Sequence, residues 1–115
     1  PRRITMSKDY REALESEQKV KQLIEHLTKS ISQIKQYKVE YTADLEKLEN
    51  NLNPYGDIKG SPADEKIVRT RKFLEQLDQM ESDQIRQRKD MYKRLLLSKN
   101  HTINELKKLE KNNDS

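Results

Sequence analysis

The sequence predicts an all-α protein: an antiparallel hairpin of two long helices forming a coiled coil, with two such hairpins pairing into a four-helix arrangement. Three observations carry this expectation. First, Met6, Tyr10, Ala13, Glu17, Val20, Ile24, Leu27, Ile31, Ile34, Lys38, Tyr41, Leu45, Leu48 and Leu52 recur at spacings that alternate between four and three. A period of 3.5 keeps one apolar seam against a partner helix along its whole length. Second, one punctuation, residues 50–62, holds both glycines and two of the three prolines. Third, charged residues (38%) outnumber hydrophobic ones (31%), with one Phe and no Trp, as in a helix that buries a narrow stripe and solvates the rest. The regular apolar spacing argues against the disorder that such a composition otherwise suggests.

Taken in order, residues 1–7 form an N-terminal extension. Helix 1 follows over 8–52, with Ser7 as its cap and Asp9 favourable to the N-terminal dipole. The linker, residues 53–61, is short enough to fold the chain back on itself. Helix 2 starts on a strong signal. Ser61 caps, Pro62 suits the first helical position, and Asp64 stands three residues on as a capping-box partner. It runs over 62–111, and 112–115 are a tail. Each helix would be roughly 65–75 Å long. The chain is read as one coiled-coil domain cut from a larger protein.

Folding the linker back gives a register in which paired positions add to about 114. Ile34 then meets Met80, Ile31 lies near Ile85, Ile24 meets Met91 and Val20 meets Leu95. Ala13 faces Thr102 and Ile103, and Lys38 falls near Glu75 and Asp78. Helix 2 is looser than helix 1. Ile67, Leu74 and Leu77 begin on one track, whereas Ile85, Tyr92, Leu96, Ile103 and Leu106 finish on a track shifted by one, as if the seam drifts or the helix changes partner. Residues 81–90 hold Ile85 as their single strong apolar side chain and are the weakest part of the expected core.

The candidate interaction surface comes from the run Leu95-Leu96-Leu97. Three consecutive helical residues sweep about 200°, too wide for a two-helix seam. Ile85, Tyr92, Leu95, Leu96, Leu97 and Ile103 are therefore the expected contact with another protein chain or with a second copy, a homodimer being the expected state. Tyr10 and Tyr41 belong to the helix 1 seam, Tyr37 flanks it, and Tyr55 lies in the linker, where Pro54-Tyr55-Gly56 would fold a compact cap over the hairpin end, a protein-binding tip being the alternative.

Charge is shared unevenly. Helix 1 carries 8 basic and 9 acidic residues, helix 2 carries 13 and 9. Arg69, Arg71, Lys72, Arg86, Arg88, Lys89, Lys93 and Arg94 supply the densest basic runs, the candidate contacts for nucleic acid or an acidic membrane surface. Interleaved acids (Glu75, Asp78, Glu81, Asp83, Asp90) favour a solvated, salt-bridged face instead. Glu17, Glu25 and Glu40 would neutralise part of it across the hairpin.

Chemistry has little to stand on. His26 and His101 would lie about 20 Å apart along the hairpin, and with no cysteine no metal set assembles. Gly56 and Gly60 lack the Lys-Ser/Thr of a phosphate loop. The expectation is no catalysis, no cofactor and no metal. The lack of cysteine, of a secretory signal and of a bilayer-length apolar run points to an intracellular protein, cytoplasmic or nuclear. The expected function is a coiled-coil scaffold or adaptor module, with polyanion binding as the alternative. No motif is specific enough to name a family.

Overall fold

The computed structural model describes residues 7–51 and 60–113. It holds two helices, α1 (Lys8–Asn50) and α2 (Pro62–Asn113), which form an antiparallel hairpin; no strand occurs among the described residues. Met6, Leu52, Pro54, Tyr55 and Gly56, to which the sequence assigned seam and linker roles, lie outside the described residues.

Both helix starts follow their local chemistry. Ser7 Oγ accepts the Tyr10 amide at 3.1 Å, so Ser7 caps α1. Ser61 Oγ accepts the Asp64 amide at 3.2 Å. The reciprocal half of the capping box is displaced by one residue: Asp64 Oδ2 accepts from the Gly60 amide at 2.9 Å. Gly60 has φ +88°, a left-handed conformation that an L side chain resists. Helix α1 ends two residues earlier than the heptad suggests, with the Asn51 amide donating to the Lys47 carbonyl at 3.0 Å.

Two units are distinguished, each an antiparallel pair of helix segments. The linker-side unit, residues 29–85, buries Ile31 and Ile34 of α1 and Ile67 and Leu77 of α2. Tyr41 meets Phe73 edge-on at 4.7 Å between ring centroids, and Arg71 pairs with Glu49 at 2.8 Å. The terminal unit, residues 1–28 with 86–115, has a poorer core. Its buried apolar side chains are Ala13 and Ile24, while Thr102 and Glu105 are buried polar ones. Thr102 donates to the Ser98 carbonyl at 3.0 Å, and Glu105 takes Lys108 at 3.1 Å, so both are satisfied within α2. Across that unit Arg88 reaches Thr28 Oγ1 at 3.4 Å.

The described heptad positions of α1 are buried or half-buried from Tyr10 to Leu48, with Tyr41 the single exposed member. The expectation for α2 needs correction. Its inner track does not shift: Ala63, Ile67, Thr70, Leu74, Leu77, Glu81, Gln84, Arg88, Met91, Leu95, Ser98, Thr102, Glu105 and Leu109 are all buried or half-buried, at spacings of four and three. Glu81 and Gln84 occupy the places expected for Met80 and Ile85, which are exposed, and Ile103 is exposed beside buried Thr102. The reason is geometric. A helix held along a partner returns to the seam every 3.5 residues whatever residue stands there. The same correction moves the partner of Lys38: Asp78 is one, as expected, but the second is Glu81 and not Glu75.

Candidate functional site

One residue beyond the inner track of α2 runs a second track, rotated by about 100° around the helix. In the terminal unit it carries Tyr92, Leu96, Ile103 and Leu106, which are 52%, 63%, 49% and 40% exposed. Lys99 occupies the place between Leu96 and Ile103, and Leu97, 69% exposed, stands at the stripe's edge. From Ser98 to Glu105 α2 turns Ser98, Thr102 and Glu105 toward the seam and leaves Ile103 outside, while Met91, Leu95 and Leu109 stay half-buried on the inner track. Leu23 of α1 is exposed as well, but the tracks on either side of the α1 seam are otherwise mainly polar.

The expected partner contacts divide on this geometry. Tyr92, Leu96, Leu97 and Ile103 share the exposed side of α2, whereas Leu95 is half-buried on the inner track. Ile85 is exposed but belongs to the linker-side unit. Leu106, outside the expected contacts, joins them on the stripe, its spacing of three from Ile103 placing it on the same track.

The basic residues are also divided. Arg69, Arg71 and Lys72 lie in the linker-side unit, where Arg71 is engaged by Glu49. Arg86, Arg88, Lys89, Lys93 and Arg94 lie in the terminal unit, where half-buried Arg88 bonds Thr28. The expected neutralisation by Glu17 and Glu40 takes another form. Glu17 pairs with Lys21 at 3.3 Å, and Glu40 accepts from Gln36 at 3.2 Å, each within α1.

Among the described residues no group of three His, Asp or Glu side chains is arranged to hold a metal ion. The described helices contain no segment long and apolar enough to cross a membrane. Among the described residues one titratable group departs clearly from its ordinary behaviour: the Asp78 hydrogen bond, and after it the contact with Glu81, raises the pKa of Lys38. That shift belongs to the helix seam, outside the exposed stripe. Comparisons with protein-family models, curated proteins and solved structures find no match to this chain.

Proposed function

We propose that this chain is a non-catalytic helical module for protein–protein assembly, a scaffold or adaptor that pairs with a further helix along α2. The observation that supports it most is the stripe of Tyr92, Leu96, Ile103 and Leu106. A row of large apolar side chains at heptad spacing is the surface that knobs-into-holes packing covers. The poor core of the terminal unit points the same way, since a two-helix segment that buries Thr102 and Glu105 gains little from its own seam. The further helix belongs to another protein or to a second copy of the chain. The absence of cysteine fits a reducing, intracellular setting.

Sedimentation equilibrium at low and high salt tests this reading. Self-association that survives high salt and disappears in the Leu96→Asp/Leu97→Asp double variant supports it, as does salt-tolerant capture of a separate helix lost in the same variant. A variant that behaves like the parent in every association assay would sink it. Polyanion binding is the competing reading, favoured by the basic residues between Arg86 and Arg94. It demands an affinity that falls steeply with salt and is indifferent to Leu96.

A further inference from the structure

The stripe on α2 is narrow and set in a strongly basic surround. From Arg86 to Asn113 the helix has nine basic and three acidic residues. Lys89 and Lys99 occupy positions on the stripe's own track, and Lys93 and Lys107 stand one step beyond it, all four exposed. We infer that the occupant of this surface is an acidic amphipathic helix from another protein, its apolar residues on Tyr92, Leu96, Ile103 and Leu106 and its carboxylates against the lysines. This inference rests on the assembly reading above and names the chemistry of the partner.

Charge decides between the occupants. Pairing this face with the same face of a second copy places Lys99 in the seam from both sides. It also sets Lys93 and Lys107 against their equivalents, with few carboxylates to answer them. Helix α1 of a second copy is less basic, but it has no second apolar track to offer. A lipid surface calls for a broad apolar sector with lysines at its borders. Here lysines interrupt a narrow stripe that only Leu97 widens, and the adjoining face is engaged with α1. A foreign helix with Leu or Ile at heptad spacing and Glu at the flanks satisfies the apolar and the basic features together.

The test uses the full chain and two synthetic helices of about 28 residues, four heptads. They share one apolar stripe but carry Glu or Lys at the flanking positions, and binding is read by fluorescence anisotropy. The Glu-flanked probe is expected to bind roughly tenfold or more tighter than the Lys-flanked one, with the preference shrinking as salt rises. Lys93→Glu/Lys107→Glu is expected to erase or reverse the preference without changing helicity by circular dichroism. Leu96→Asp/Leu97→Asp is expected to abolish binding of both probes. Equal binding of the two probes overturns the acidic partner while leaving the assembly module standing. So does failure of both probes when the chain self-associates through Leu96. Failure of both probes with no Leu96-dependent self-association overturns the two readings together. Binding of acidic lipid vesicles in place of either probe does the same and identifies a lipid surface.

Discussion

Lys38 of α1 reaches across to Glu81 of α2, Nζ to Oε1 at 3.3 Å, with Asp78 Oδ1 closer still at 2.5 Å. Lys38 and Glu81 both stand on inner heptad tracks, where apolar residues otherwise predominate. The Glu81 side chain is 18% exposed and that of Asp78 64%, so Glu81 is the acid whose desolvation depends on Lys38.

Removing one partner is therefore expected to cost more than removing both. Lys38→Leu leaves Glu81 in the seam without its cation and should lower stability by about 1–2 kcal/mol. Lys38→Leu/Glu81→Leu fills the layer with apolar side chains and should recover the loss or exceed the parent. Thermal melts of the parent, the single and the double variant measure this. A double variant weaker than the single would show that the pair contributes more than its replacement.

The same contact fixes a pH dependence. Because the folded state raises the pKa of Lys38 above 10.5, the stabilisation is complete below 10.5 and is lost as pH rises through the folded value. Chemical denaturation of the parent and of Lys38→Met should differ by a constant amount between about pH 7 and pH 10, and the gap should close at higher pH. A gap that widens above pH 10.5 would contradict the assignment.

The α1 seam and both caps were legible because each rests on local residue chemistry. The heptad of α1 names its own buried and half-buried positions from Tyr10 to Leu48, Tyr41 excepted, and Ser7 and Ser61 act where such residues act. The buried side of α2 was not legible. The pairing register set Met80, Ile85 and Ile103 against α1, but the seam there holds Glu81, Gln84, Thr102 and Glu105, while Met80, Ile85 and Ile103 face out. Composition cannot tell two adjacent heptad tracks apart when polar residues fill one of them. The backbone decides, because α2 has to stay against α1 from Ala63 onward. That misreading and the stripe proposed for a partner have one origin.

Ile31 and Leu97 should separate core from surface. Ile31 is 2% exposed in the linker-side unit, so Ile31→Asp should cost about 3 kcal/mol or more and reduce helicity. Leu97→Asp, on an exposed position, should move stability by no more than about 0.5 kcal/mol. Circular dichroism melts of the two variants give the comparison, and equal losses would mean that Leu97 is buried in solution, for instance by a second copy.

The start of α2 offers a cleaner backbone experiment. A Cβ at Gly60 would meet nothing within 4 Å, so Gly60→Ala tests the left-handed φ alone and should cost about 1–2 kcal/mol. Ser61→Ala removes the acceptor for the Asp64 amide and should cost about 1 kcal/mol. The two losses share one turn, so they need not add. A neutral Gly60→Ala would show that the turn relaxes to negative φ without loss.

Gln84 carries the sharpest prediction about the polar seam. Its Oε1 is buried and has no hydrogen-bond partner, on a track position where a leucine would pack. Gln84→Leu should raise stability by about 1–2 kcal/mol, since it removes an unpaired buried acceptor and adds apolar contact. A gain in stability with loss of a unique helix register, read as broadened amide resonances for α2, would assign Gln84 a role in fixing the register. A gain with sharp resonances would mean that the residue contributes nothing to the hairpin. A loss would require that Oε1 finds a partner in solution, and would count against burial of this side chain between α1 and α2.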